Sequence, residues 1–212
     1  MILVGQYDSP FVRRVGITLH LYGLAFRRNT ISVFTNAEEM ARINPLVRIP
    51  SLLLDSGEVL IDSIAILDYL DELVGPERAL IPRSGPERRS ILQVVAVGIG
   101  SGDKAGAIVY ERFFHPPAHV NQDLVARFTS QLSGGLASLE NRLKGDWFVG
   151  SRLSQADVTV GAMLGYMQLR LPEALAGGRF PKLMQFLARC EAMDAFKATK
   201  PTSDEVMHAL KN

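Results

Sequence analysis

The spacing of apolar residues changes character near residue 80. Before it, short apolar runs alternate with stretches of helical period. Residues 2–4, Ile-Leu-Val, read as a strand. Residues 9–22 read as an amphipathic helix opened by Ser9-Pro10 and stopped by Gly23. Residues 26–33 read as a second strand, and residues 36–43 as a short helix ended by Asn44-Pro45. Two apolar runs, 51–54 and 59–61, flank Asp55-Ser56-Gly57-Glu58, a hairpin signal. Residues 63–74 then carry Ile66, Leu67, Leu70, Leu73 and Val74 at helical spacing and end at Gly75-Pro76. The order β-α-β-α-β-β-α predicts a small mixed sheet covered by helices.

Past Pro82-Arg83-Ser84-Gly85-Pro86 no strand alternation remains. The period predicts helices over 87–97 and 105–114, with a glycine-rich middle between them. A longer helix, 124–143, sets Phe128, Leu132, Leu136, Leu139 and Leu143 on one stripe. Ser154-Gln155-Ala156-Asp157 is a capping box ahead of the apolar run at 158–164, with Asp in place of the usual Glu or Gln. Residues 181–193 form a further helix. The expected division is therefore an α+β domain over 1–80 and an all-α domain over 87–212.

Composition narrows the class. The chain has 212 residues, 47% of them hydrophobic, and a net charge of +1. That charge leaves no electrostatic footprint for nucleic acid or an anionic membrane. No apolar run approaches the roughly 20 residues that span a bilayer. The N-terminus lacks the basic region of a signal peptide. Cys190 is the single cysteine, which excludes an intrachain disulfide and reads as a buried small hydrophobe. A cytoplasmic protein is expected.

Candidate chemistry begins at Ser9. A serine at a helix start either caps the helix or offers its hydroxyl to an anion held at the positive helix end. Other signals carry less. Gly98, Gly100, Gly102 and Gly106 do not fit a nucleotide loop and instead permit close helix packing, with a dimer axis as one place for it. His115 and His119 have metal-like spacing, but Pro116 and Pro117 keep them off one helical face, so no metal is expected.

Four separated motifs resemble the cytosolic glutathione S-transferase family across essentially the whole chain. Ser9-Pro10-Phe11 is similar to the Ser-Pro-Phe of tau-type enzymes, and to the omega-type Cys-Pro-Phe with serine for cysteine. Residues 44–52, Asn-Pro-Leu-Val-Arg-Ile-Pro-Ser-Leu, resemble Asn-Pro-x-Gly-Lys-Val-Pro-x-Leu, with Val47 in place of glycine. Residues 62–70 resemble Glu-Ser-x-Ala-Ile-x-x-Tyr-Leu, with Asp62 in place of glutamate. Ser154–Asp157 falls where the family keeps a helical-domain capping box.

The resemblance implies a thioredoxin-like domain followed by a helical one, with glutathione as co-substrate and a homodimer as the assembly. It makes Ser9 the catalytic donor to the glutathione thiolate, with Tyr7 as the alternative. A thiol of pKa about 8.5 is only about 3% ionised at pH 7, and lowering that pKa by about two units requires roughly 2.7 kcal/mol. One hydrogen bond to a charged group supplies about 1.5–3 kcal/mol, so a single hydroxyl suffices. Ser63 would take the γ-glutamyl carboxylate and Asp62 the ammonium. Pro50 would be cis and turn the Ile49 backbone toward the cysteinyl part. Arg48 would hold the glycyl carboxylate, with Arg13 and Arg14, expected on a solvated face, as alternatives. Phe11, Tyr110, Phe113, Phe114 and His115 are candidates for an apolar wall for a small electrophile across the domain boundary. Glutathione-dependent isomerisation or peroxide reduction, and a non-catalytic binding role, are the competing functions.

Overall fold

The computed structural model describes residues 1–206. The described residues form two compact units, one of Met1–Pro82 joined by residues 192–206, the other of Arg83–Glu191. The first unit holds four three-residue strands, β1 (Ile2–Val4), β2 (Arg27–Asn29), β3 (Ser51–Leu53) and β4 (Val59–Ile61), in the order β2-β1-β3-β4. β1 and β2 are parallel; β1–β3 and β3–β4 are antiparallel. The parallel pair is joined through α1 (Pro10–Tyr22), and α2 (Ala37–Ile43) and α3 (Ser63–Val74) complete the expected order. The second strand is shorter than the run at 26–33 suggests. Its partner β1 ends at Val4, opposite Asn29, so the ladder runs out there.

The core of this unit joins Leu3, Val15, Leu19, Leu52, Ile66 and Leu70, all fully buried. α1 is enclosed to an unusual degree. Arg13 and Arg14 lie within it, 5% and 1% exposed, where a solvated face was expected. The reason is the chain's return. The described residues from 192 onward, including α8 (Asp194–Lys197), pack in the first unit. Arg13 Nε donates to the Thr199 carbonyl at 3.1 Å and Nη2 to that of Phe196 at 3.2 Å. These bonds satisfy carbonyls of the returning segment, so Arg13 is a strut.

The second unit is helical throughout. In place of two helices broken by glycines, α4 runs unbroken from Gly85 to Phe114. The glycines are contact points. A Cβ at Gly98 would lie 3.3 Å from Val160, and one at Gly102 would lie 2.2 Å from Met163 Sδ. Both neighbours belong to α6 (Gln155–Arg170), so close packing within the chain outweighs glycine's helix cost of about 1 kcal/mol each. α4 also packs on α5 (Gln122–Arg142), and α6 packs on α7 (Pro181–Glu191). By length and apolarity α4 is able to cross a membrane, yet Ile91, Val94, Val95 and Ile108 are buried inside the unit.

The capping box ahead of α6 forms with aspartate. Asp157 is fully buried, and its carboxylate accepts from the Phe148 N–H, the Ser154 N–H and the Ser154 hydroxyl, each at 2.8 Å. Burial raises its pKa, and the three hydrogen bonds oppose that shift.

Candidate active site

The register of the sheet gathers the site. Val4 of β1 pairs with Ser51 of β3, and Ser51 pairs with Ile61 of β4. Residues just beyond those pairs therefore meet at one end of the sheet: Gly5 after β1, Pro50 before β3 and Asp62 after β4. A Cβ on Gly5 would lie 2.9 Å from Ile49 Cβ, which confirms how near the two segments come.

The Ile49-Pro50 bond is cis, as the resemblance implies. Its loop is organised by the buried side chain of Asn44. Asn44 Oδ1 accepts from the Leu46 N–H at 2.9 Å, and Nδ2 donates to the Arg48 carbonyl at 2.8 Å. Between these bonds Val47 is driven to φ 51°. That is the left-handed region, adopted here by a β-branched residue at the position where the resembling motif has glycine. Arg48 itself is exposed.

Asp62 and Ser63 follow β4. Asp62 has φ 68° and caps α3, its Oδ1 accepting from the Ile64 N–H at 2.9 Å. Ser63 is the first helical residue, where a backbone N–H has no partner within the helix and the dipole favours an anion. Arg14 adds a further charge. Burial lowers its guanidinium to about 10, still cationic at neutral pH, and the Asp62 carboxylate opposes the shift. Arg14 Nε and Nη1 are buried without a hydrogen-bond partner.

Ser9 is the N-cap residue of α1 by position, with φ −72° and ψ 121°, and Pro10 follows it. Its hydroxyl makes no capping bond. The cap and the donor roles thus do not compete in this structure. Tyr7 is different. It is 2% exposed and packed so closely on Gly16 that a Cβ there would lie 2.7 Å from the Tyr7 hydroxyl. Burial pushes its pKa up to about 12, with Arg28 opposing and Glu205 adding. The phenol is part of the core.

The Tyr7 backbone is held from a distance in sequence. Its N–H donates to Glu205 Oε1 at 3.0 Å. The Arg28 guanidinium lies 3.5 Å from the Tyr7 ring centre, pairs with Glu205, and reaches the Gly5 carbonyl at 3.3 Å. Glu205 Oε2 accepts from the Thr202 N–H at 3.2 Å.

The apolar candidates fall in both units. Phe11 is half-buried in α1. In α4, Tyr110 and Phe113 each meet Phe114 edge-on, with ring centres 5.7 Å and 5.0 Å apart. Tyr110 is 48% and Phe114 44% exposed, so this cluster is a surface and not core.

Family models for the glutathione S-transferase N-terminal domain and C-terminal domain match residues 3–78 and 122–189. The chain belongs to the glutathione S-transferase family. Among its relatives, the maleylacetoacetate isomerase of Pseudomonas aeruginosa is 31% identical, covering 96% of this chain and 97% of that protein. The GST-like protein YibF of Escherichia coli is 27% identical over 95% of this chain and 98% of its own length. A Methylobacterium radiotolerans glutathione S-transferase in complex with glutathione sulfonate superposes with a TM-score of 0.89 at 29% identity, over 99% of both chains. One from Methylobacillus flagellatus with glutathione bound gives 0.88 at 29% identity, over 95% of this chain and 99% of that one. The chain is a glutathione transferase with the thioredoxin-like and helical domains of that family.

Sequence reasoning missed Glu205, Arg28, Asn44 and the burial of Arg14. Asn44 stood inside a quoted motif, where its side chain's role had no signature. Glu205 lies 198 residues from Tyr7, beyond the reach of any local pattern.

Proposed function

We propose that this transferase binds glutathione at the sheet end formed by residues 5–9, 48–50 and 62–63, and that Ser9 holds its sulfur as thiolate for attack on a small apolar electrophile. The register that gathers Gly5, Pro50 and Asp62, in a fold whose relatives bind glutathione, carries this reading. The Ile49 backbone meets the cysteinyl part and Arg48 the glycyl carboxylate. Ser63 takes the γ-glutamyl carboxylate, and Asp62 faces the ammonium with the oxygen not used for its cap. Ser9, with its hydroxyl free of a capping bond, donates to the sulfur. Phe11, half-buried in the first unit, is an apolar surface for an electrophile, and the exposed Tyr110, Phe113 and Phe114 cluster of the second unit is a candidate in its own right.

The step needs no covalent enzyme intermediate. The thiolate attacks the electrophilic carbon, a carbon–sulfur bond forms, and the leaving group departs with its electron pair. Isomerisation is the second reading, favoured by the relatives named as maleylacetoacetate isomerases. It uses the same thiolate but returns glutathione after the substrate double bond has rotated.

Ser9→Ala is expected to lower kcat roughly 10–100-fold, the equivalent of one hydrogen bond to a charged group, while the KM for glutathione changes little. The ultraviolet thiolate band of bound glutathione, followed against pH, should move to higher pH in the variant. An unmoved band and an unchanged kcat would remove Ser9 from the role. Parallel assays with 1-chloro-2,4-dinitrobenzene and with maleylacetone distinguish conjugation from isomerisation.

A further inference from the structure

We infer that Glu205, in the returning C-terminal segment, is the positioning residue for the loop that presents Ser9, so that thiol activation depends on a carboxylate almost two hundred positions away; this rests on the reading of Ser9 given above. Backbone hydrogen bonds tie down the two ends of the loop from Gly5 to Ser9. Gly5 N–H donates to the Asn29 carbonyl at 2.8 Å and Ser9 N–H to that of Gln6 at 3.1 Å. Between them the Tyr7 N–H donates to Glu205 Oε1 at 3.0 Å.

Glu205 is 5% exposed and both of its oxygens are committed. Oε1 serves Tyr7 and Arg28, and Oε2 serves the Thr202 N–H and hydroxyl, at 3.2 Å and 3.4 Å. Thr202 in turn fixes the short helical turn Ser203–Glu205, which aims the carboxylate. Arg28 closes the arrangement by covering the Tyr7 ring and reaching the Gly5 carbonyl. Glu205 or its partner Arg28 thereby holds the loop at the Gly5 carbonyl, at the Tyr7 backbone and at the Tyr7 ring. Ser9 follows two residues later, and a donor displaced by about 1 Å from its working position loses much of its effect.

Glu205 touches no reacting atom. Its removal is therefore expected to act through the thiol and leave glutathione's other contacts in place. Glu205→Ala should lower kcat about 10-fold, change the glutathione KM less than about 2-fold, and raise the pH midpoint of the bound thiol by about one unit, which is the same tenfold. Glu205→Gln keeps the shape and an acceptor for the Tyr7 N–H, and should restore most of kcat. Glu205→Asp keeps the charge but shortens the reach; it is read by the same criteria should the alanine variant fail to fold.

The assay is 1-chloro-2,4-dinitrobenzene conjugation by the full chain across pH, repeated in a Ser9→Ala background. A midpoint that Glu205→Ala shifts in the wild type but not in the Ser9→Ala background supports the proposal together with the Ser9 role. A shift with Glu205→Ala, when Ser9→Ala alone does nothing, removes Ser9 but keeps Glu205 as the loop's anchor. A folded Glu205→Ala or Glu205→Asp protein with unchanged kcat and midpoint overturns the proposal, whatever Ser9→Ala does.

Discussion

The two units reach order by opposite means. The helical unit is regular: long helices, glycines at crossing points, and one buried carboxylate closing a cap. The first unit has strands of only three residues, and its candidate site lies in irregular backbone, with Val47 and Asp62 at positive φ and a cis Ile49-Pro50 bond. Side chains hold that backbone where ladders cannot: Asn44 for the loop before β3, Glu205 for the loop after β1. Regular packing supplies stability, whereas irregular segments expose the N–H groups and hydroxyls that bind a ligand.

Substitutions break this contrast at graded cost. Asp157→Ala in the helical unit should have the largest effect on stability. It leaves the N–H groups of Phe148 and Ser154 buried without an acceptor, at a cost of about 3 kcal/mol measured by urea denaturation. The folded fraction should keep its kcat. Gly16→Ala comes next, because a Cβ would lie 2.5 Å from the rigid Tyr7 ring. Overpacking of this kind costs about 2 kcal/mol, and here kcat should fall as well, since Tyr7 carries the loop. A stability loss with kcat untouched would separate Tyr7 from the site.

Val47→Gly should have a smaller effect of opposite sign. Relief of a β-branched residue at φ 51° gains about 1–2 kcal/mol, and glycine's looser unfolded chain returns about 0.4–1 of it. A net rise of about 0.5–1 kcal/mol in thermal denaturation is expected. Destabilisation would mean that the valine side chain contributes packing worth more than its strain.

The subtlest test is pH. Burial alone would raise the Glu205 pKa, but hydrogen bonds from Arg28 and from the Tyr7 and Thr202 N–H groups outweigh it and set it below its usual 4.5. A carboxylate with a depressed folded pKa adds stability that is complete above its unfolded pKa and is lost as pH falls through the folded one. Acidification below about pH 4.5 should therefore narrow the stability gap between wild type and Glu205→Gln. A gap that stays constant through that range would deny the carboxylate its charged role.

Much of this was legible in the chain. Periodicity gave the element order of the first unit, and the bounds of α3 fell where the apolar spacing put them, because an amphipathic helix with clear stops writes its own limits. Ser9 could be named because a serine before proline at a helix start leaves a local signature, whereas Ile49-Pro50, Asp62 and Ser63 were named through the motifs that resemble the family's. The unbroken α4 was not legible. Glycine lowers helix propensity locally, and only the facing Val160 and Met163 show why the small residues are there. Nor were the burial of Arg13 and Arg14 and the clamp on Tyr7. Helical spacing assigns one face to the core, but α1 is covered on further sides by a segment that arrives after residue 192. The sequence by itself determined which elements form and where candidate chemistry begins. The tertiary structure alone decided what holds that chemistry in place, because a hydrogen bond between Tyr7 and Glu205 depends on nearness in space and leaves no trace in local pattern.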